Sequence, residues 1–299
     1  MISDVAELES RNYSPLYKYN LTSSRLLFCI HNNKITIQSD HINPVFEDRK
    51  HAVIKFLNHV YSTMTQLPIT INICVELHDT SHEESPIWCF SKNNTHQLLI
   101  PDLYAMWGYS NRLSIKDTIP FNKKLTKAVF IGGSTGSYSP DTNERLRLCD
   151  KYRNNPNIHC YINNICQMTE ETVKGVFPNY KDFIHAGMSM EDQHHYKYII
   201  SVDGNTSAWD RVPWILNSNS VLLLKESNSK CWYYPLLIPY IHYIPFNDST
   251  DLEKIISSTE DRTEMIKNAN KFVKDYLTID KHVEYMQYLM YYCSLKHAQ

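Results

Sequence analysis

Residues 196–246 read YKYIISVDGNTSAWDRVPWILNSNSVLLLKESNSKCWYYPLLIPYIHYIPF, and no other stretch limits the fold as much. The apolar, β-branched run at 198–202 has the composition of a buried strand, and a second such run stands at 220–225. Between them lie the polar turn Asp203-Gly204-Asn205-Thr206 and a segment rich in Trp and Leu, which predicts a short helix over 209–216. Strand, glycine turn, helix and strand within about thirty residues is the βαβ unit of a parallel sheet. Ligands on such sheets bind beyond the carboxyl ends of the strands, so a site is expected at the Asp203 turn.

The turn feeds a helix N-terminus, where free N–H groups and the helix dipole favour an anion. Arg211 follows one or two turns along with a planar, permanently charged fork. These are the ingredients of a diphosphate pocket, although an ordinary βα turn with a surface arginine reads the same way. A second turn resembles the first. The chain has only seven glycines, and three of them fall in Gly132-Gly133-Ser134-Thr135-Gly136-Ser137, after the strand predicted over 128–131. Such concentration implies a sharp turn or close approach of backbone to ligand. It matches neither GxGxxG nor GxxxxGK[ST], so a nicotinamide-dependent Rossmann enzyme has little support. Two polar βα turns of one sheet could face one ligand, with the Ser134 and Thr135 hydroxyls joining the backbone. The candidate donor-binding residues are Gly132, Gly133, Ser134, Thr135, Asp203, Gly204, Asn205, Ser207 and Arg211. Glu226, after the second strand, could accept from ribose hydroxyls or be a plain surface carboxylate.

Composition narrows the field. A length of 299 residues with 42% hydrophobic side chains allows one large or two modest domains. A formal charge of −2 with interspersed signs offers no polyanion-binding surface, which argues against nucleic acid. The N-terminus, MISDVAELES, is acidic where a secretory signal is basic and then apolar, and no run of eighteen apolar residues occurs. A chain without a membrane span, acting in the cytoplasm, is expected. Eight cysteines with no Cys-x-x-Cys read as reduced, mostly buried small hydrophobes, and no metal site is expected. A glycan on Asn205-Thr206-Ser207 would block the second turn, which also favours a compartment without N-glycosylation.

Along the chain, residues 1–24 read as an arm with a short helix, and 25–31 with 34–38 as a hairpin about Asn32-Asn33. Helical spacing occupies 46–64; strands are predicted at 69–77, 87–90 and 98–100. Asp79 stands just past the first of these strands, as a working carboxylate or a turn residue. A polar, Lys-rich link at 122–127 marks the clearest boundary. Beyond it, a capping box at 141–144 starts a helix continued by Arg145, Leu146 and Leu148. A strand is expected at 158–162, a helix at 169–176 and another strand at 240–244. Thr250-x-x-Glu253 caps the next helix, and two more cover 261–277 and 280–296.

The order and wording of these segments from Ala128 onward resemble the CAP10-like glycosyltransferases, glycosyltransferase family 90, which include the protein O-glucosyltransferases and fungal capsule enzymes. The family's Phe-Arg-Gly-Ser-Thr-Thr-Gly turn and Arg-x-Leu helix are matched by Phe130-Ile131-Gly132-Gly133-Ser134-Thr135-Gly136 and Arg145-Leu146-Arg147-Leu148. Its Tyr-Lys-Tyr strand ending in Asp-Gly-Asn is matched by Tyr196-Lys197-Tyr198 and Asp203-Gly204-Asn205. Arg211, Ser220 to Lys225, Tyr234-Pro235-Leu236-Leu237-Ile238-Pro239 and His242-Tyr243-Ile244-Pro245 continue the match. The resemblance implies an α/β fold of the GT-B type, two Rossmann-like domains with parallel sheets. The expected domains are 1–125 on the acceptor side, 126–276 binding the nucleotide sugar, and a C-terminal helix, 277–299, returning to the first.

It also implies inverting transfer of glucose or xylose from UDP-glucose or UDP-xylose to a hydroxyl of a glycan or protein, with no further cofactor. Asp79, within the matching segment 72–79, takes the role of general base, with Asp102 and Glu76 as alternatives. Asp102, Trp107 and Trp209 are candidate acceptor or sugar contacts, while Trp209 and Trp232 would by default be core. The general chemistry agrees: one carboxylate must take the acceptor proton, and a cationic pocket must take up charge on the departing UDP. No Asp-x-Asp occurs, so Arg211 is expected to stand where other glycosyltransferases chelate a metal. One position departs from the pattern: the family arginine of the first turn is Ile131. That substitution motivates an alternative, a non-catalytic UDP-sugar or glycan-binding protein of the same fold. The absence of a secretory signal and the short length fit a microbial or viral enzyme.

Overall fold

A computed structural model describes the chain except residues 16, 32, 33, 40, 66–68, 80–85, 93–95, 110, 111 and 297–299. The first part holds α1 (Ile2–Ser10), β1 (Arg25–His31), β2 (Lys34–Gln38), α2 (Glu47–Ser62), β3 (Ile71–Glu76), β4 (Trp88–Cys89), β5 (Leu98–Leu99) and α3 (Leu103–Met106). There follow β6 (Leu125–Gly133), α4 (Glu144–Tyr152), β7 (Ile158–Asn164), α5 (Glu170–Val176), α6 (Met190–Gln193), β8 (Tyr196–Ser201), α7 (Arg211–Leu216) and β9 (Val221–Lys225). The chain closes with β10 (Ile244–Phe246), α8 (Leu252–Ser257), α9 (Thr263–Tyr276) and α10 (Ile279–Leu295). It divides into two compact units, one of Met1–Ser110, Asn228–Leu236 and Asp275–Gln299, the other of Asn111–Ser227 and Leu237–Lys274.

The first unit has a sheet of order β2-β1-β3-β4-β5. The strands β3, β4 and β5 run parallel as expected, but β1 is antiparallel to both its neighbours, so the sheet is mixed. The hairpin explains the difference: β1 returns directly into β2, with His31 opposite Lys34, and a two-residue connection can only join antiparallel strands. The Asn32-Asn33 turn itself lies outside the described residues. Leu26, Phe28 and Ile30 alternate into the core, and α2 buries Val53, Phe56, Leu57 and Val60 at helical spacing. Helix α10 completes this unit, burying Tyr285, Met286, Leu289, Met290 and Cys293. Trp232 is fully buried and stacks on Tyr285 with ring centres 4.3 Å apart, and the Tyr285 hydroxyl donates to the Leu99 carbonyl at 2.8 Å.

The second unit carries the all-parallel sheet β10-β9-β8-β6-β7, whose central βαβ unit is β8, the Asp203 turn, α7 and β9. Three local expectations change. Helix α4 is capped by Asn143, whose Oδ1 accepts from the Leu146 N–H at 3.0 Å, because Asp141 belongs to a 3₁₀ turn, Pro140–Thr142. Asp251 caps α8, because the Thr250 hydroxyl is taken by the Asn247 N–H. The last strand is 244–246 rather than 240–244: the Tyr240 N–H donates to the Tyr243 carbonyl at 2.7 Å and Tyr240 has φ +62°, which closes a turn there.

Strand β6 also runs further than expected, from Leu125 inside the Lys-rich link and through Gly132 and Gly133 at its end. Its register against β7 shifts between those two glycines, a bulge of the kind that ends a strand beside a site. Because β8 lies beside β6, the two polar turns leave the same edge of one sheet on neighbouring strands, about 5 Å apart.

Candidate functional site

The two turns meet on the guanidinium of Arg145, from the first turn of α4. Its Nη1 donates to the Gly133 carbonyl at 3.0 Å and the Thr135 hydroxyl at 2.8 Å. Its Nε and Nη2 donate to the carbonyls of Val202 and Asp203 at 3.0 to 3.2 Å. The side chain is only 9% exposed. A Cβ on Gly204 would stand 2.5 Å from Thr135 Oγ1 and 2.9 Å from Arg145 Nη2, so a glycine is what allows this passage. A third link ties the turns: Asn205 Oδ1 accepts from the Gly136 N–H at 3.1 Å and from Gln167 Nε2 at 2.9 Å.

Arg211 opens α7, which is six residues long, two shorter at its start than expected. Its Nη2 donates to the Ile131 carbonyl at 2.5 Å, and its Nη1 is buried with no hydrogen-bond partner. Both guanidiniums lie over the Phe130 ring, that of Arg211 at 5.0 Å and that of Arg145 at 6.0 Å from its centre. Burial, aided by the neighbouring Arg145 charge, brings the Arg211 pKa down to about 10, which still leaves it charged at neutral pH. Arg112 pairs with Asp210 at 3.2 Å and adds a further positive charge nearby.

Asp203 is the anionic member of the cluster. Burial pushes its pKa up to about 6, against the hydrogen bonds from Ser227 and the Ala208 N–H and the charge of Arg145. Its Oδ2 is buried with no hydrogen-bond partner. The turns thus combine a buried cation with an open donor and a carboxyl group whose pKa is raised toward the neutral range. That arrangement suits an anion carrying a hydrogen-bonding group.

The hydroxyl residues of the two turns, Ser134, Thr135 and Ser207, face inward. Ser134 is fully buried; its hydroxyl donates to the Cys166 carbonyl and accepts from the Cys166 N–H. The Thr135 hydroxyl accepts from Arg145, and Ser207 is buried. Gly132 and Gly133 end β6, where an added Cβ would meet Arg211 Nη2 at 3.0 Å and Cys166 Sγ at 3.2 Å respectively. Trp209 is half-buried ahead of α7. Glu226 is exposed, its N–H donating to the Phe246 carbonyl and its carboxylate accepting from Asn247 Nδ2 at 2.9 Å. Lys225, beside it, is buried and pairs with Asp248 at 2.8 Å and Glu144 at 3.3 Å. A cavity of about 490 Å³ opens there between α4 and the ends of β9 and β10, and none of the candidate donor residues lines it.

In the first unit, Asp79 lies three residues beyond β3 and is half-buried. Arg49 Nη2 contacts its Oδ1 at 2.9 Å, while Arg49 Nη1 donates to the Leu77 carbonyl at 2.7 Å, a two-point hold on the segment. The alternatives have structural duties. Glu76 pairs with Arg25 at 3.1 Å in the core, and Asp102 caps α3 by accepting from the Ala105 N–H at 3.1 Å. Trp107 is 48% exposed, its ring edge-on to Tyr104. It forms one wall of a groove of about 950 Å³ whose other wall is α2, presenting Asp48, His51, Lys55 and His59 over an apolar floor of Ala52, Phe56 and Met106.

The sequence pattern marks Arg145 only as a helix residue and assigns no role to Phe130, Asn143, Gln167 or Arg49. One signal was present: the pattern Arg145-Leu146-x-Leu148 puts an arginine among core positions of an amphipathic helix, and α4 buries Arg145, Leu146, Leu148 and Cys149 together. Among the described residues no cluster of three or more His, Cys, Asp or Glu side chains could hold a metal ion, and no helix is long and apolar enough to cross a membrane. The eight cysteines are free thiols, with Cys29 and Cys166 half-buried and the rest buried.

The chain is similar to several known proteins. "Uncharacterized protein 179R" of Invertebrate iridescent virus 6 is 32% identical over 201 residues, 57% of this chain and 17% of that protein. "O-glucosyltransferase LpsA" of Dichelobacter nodosus is 28% identical over 166 residues, 54% of this chain and 46% of the enzyme. "Protein O-glucosyltransferase 3" of Homo sapiens is 28% identical over 198 residues, 62% of this chain and 36% of that protein. The matched stretch covers less than half of each of these relatives. The family description "Glycosyl transferase family 90" matches residues 22–298, which is nearly the whole chain, and the protein belongs to that family.

Proposed function

We propose that this protein is an inverting glycosyltransferase of the GT-B type that moves glucose or xylose from a UDP-sugar to a hydroxyl of a glycan or protein. The observation that carries the donor half is the buried, unpartnered Nη1 of Arg211 beside the paired turns. A donor left bare in a buried site costs about 1–3 kcal/mol, and a diphosphate oxygen would satisfy it with a charge-assisted bond. In the reaction the acceptor oxygen attacks the anomeric carbon and its proton passes to the Asp79 carboxylate. The sugar–phosphate bond breaks, its electron pair leaves with UDP, and Arg211 takes up the charge gained by the terminal phosphate. Arg49 orients Asp79, and the Trp107 groove receives the acceptor, its indole offering a flat face to a sugar ring.

Guanidinium charge takes the part that a divalent ion has in other glycosyltransferases, in keeping with the lack of an Asp-x-Asp motif. The relatives named as O-glucosyltransferases favour glucose. The test offers UDP-glucose and UDP-xylose with water alone, in EDTA. Slow release of UDP is expected. Binding without release would favour a non-catalytic UDP-sugar-binding protein, the reading motivated by Ile131. Release that requires Mg²⁺ or Mn²⁺ would overturn the metal-free mechanism.

A further inference from the structure

Arg145 makes five hydrogen bonds, all to neutral acceptors: the carbonyls of Gly133, Val202 and Asp203 and the hydroxyl of Thr135. Burial lowers its pKa, and the largest opposing influence is the Asp203 charge, with no carboxylate among its hydrogen-bond acceptors. A neutral amide could bond two of those carbonyls without the cost of burying an ion. What only arginine supplies is a rigid planar fork that reaches both turns at once, together with a fixed positive charge. That charge lies on the same Phe130 ring as Arg211, over Gly132, whose missing Cβ would stand 3.0 Å from Arg211 Nη2 and 3.7 Å from Arg145 Nη1. Two like charges gathered on one ring repel each other in the free protein, and an anion relieves the repulsion.

We propose that Arg145 is a positioning residue for anion binding: one buried guanidinium locks the turns after β6 and β8 into a single preformed unit, beside which Arg211 is held by the Ile131 carbonyl. The anion is the diphosphate of the donor, so this role rests on the reading given under Proposed function. Its mechanical part does not. Because each turn is anchored to the same rigid group, loosening that group frees both turns together, while the strands beneath keep their own ladders.

The variant Arg145→Lys keeps the charge and removes the fork. Hydrogen–deuterium exchange of the ligand-free protein should then quicken at least tenfold in 132–136 and 202–206 together, with β7 and β9 unchanged. Calorimetry with UDP and with uridine should show UDP binding weakened roughly tenfold and uridine binding unaltered, since one charge-assisted contact is misplaced. Should Arg145→Lys fail to fold, Arg145→Gln, neutral and planar, replaces it: exchange should rise less and UDP affinity fall at least as far. A folded variant with unchanged exchange and unchanged UDP affinity overturns the proposal. So does faster exchange with full UDP affinity, or an equal loss for UDP and uridine. If the wild-type protein binds no UDP, the donor reading fails, and the exchange experiment still decides whether one residue couples the two turns.

Discussion

Arg211 Nη2 holds the Ile131 carbonyl at 2.5 Å while Nη1 of the same guanidinium is buried with no hydrogen-bond partner. The side chain is anchored at one end and unsatisfied at the other. Replacing it with an uncharged chain of similar length removes a buried cation and its bare donor together. Arg211→Met should therefore leave the melting temperature unchanged or raised, while UDP-glucose affinity falls about 10- to 100-fold. Calorimetry alongside thermal unfolding checks both. Loss of stability with full affinity would show the arginine to be part of the scaffold.

Asp203 makes the fold and the pocket pH-dependent. Its pKa is raised from 3.8 to about 6 by burial, so the folded state holds the proton more tightly than the unfolded chain. This contribution to stability is fully present below the unfolded pKa and is lost as pH rises through about 6. Its size is on the order of 3 kcal/mol. Asp203→Asn should be more stable than wild type at pH 7.5 and lose less stability between pH 4.5 and 7. UDP-glucose, whose diphosphate does not titrate in that window, should bind wild type more tightly at pH 5.5 than at 7.5, because protonation removes a negative charge beside it. Denaturation and binding isotherms at four pH values test this; identical slopes in wild type and variant would remove Asp203 as the source.

Asp79→Asn keeps the shape of the side chain but cannot take the acceptor proton. Donor affinity should stay near wild type while transfer falls by roughly 10²- to 10⁴-fold. Arg49→Met should give a smaller fall in transfer, since it releases the carboxylate without removing it. Near-normal transfer by Asp79→Asn would place the base elsewhere.

Gly204→Ala tests the close approach of the turns. The new Cβ would lie 2.5 Å from Thr135 Oγ1 and 2.9 Å from Arg145 Nη2, and the guanidinium is held on every side. A loss of about 1–3 kcal/mol in denaturant unfolding is expected, as for overpacking a filled interior. The matching change in helix α5, exposed at all positions but Val173, is Gly175→Ala, which meets nothing within 4 Å and should not destabilise.

Trp107→Ala should raise the acceptor KM several-fold with kcat and UDP-glucose affinity unchanged, because the indole is 48% exposed and contributes contact area rather than chemistry. Stability should hardly move. An unchanged KM across a panel of acceptors would take the groove out of acceptor binding.

Local patterns were sufficient for much of the architecture. Apolar runs of five or six residues marked β8 and β9, helical spacing marked α2, α9 and α10, and the density of glycine after 131 marked a strand end with close contacts. These features depend on neighbours along the chain, through backbone sterics and the side on which successive side chains fall. Where a cap had rivals a residue or two away, as with Asn143 and Asp251, sequence alone chose wrongly, because the choice turned on which side chain a neighbouring turn had already engaged.

By itself, then, the sequence determined the parallel βαβ unit, the two polar turns and the arginine that follows the second. Only the tertiary structure decided that β6 lies beside β8, and everything specific about the site follows from that adjacency. It brings Arg145 within reach of four acceptors drawn from segments up to 58 residues away, engages the Thr135 hydroxyl on that guanidinium, and leaves Arg211 with one open donor. In the other unit the fold likewise set Arg49 on Asp79, thirty residues along the chain. The physical reason is common to both. A periodic pattern records which face of an element is apolar, whereas the partner of a buried charge is whatever the sheet order carries to within 3 Å, and no spacing in the sequence encodes that.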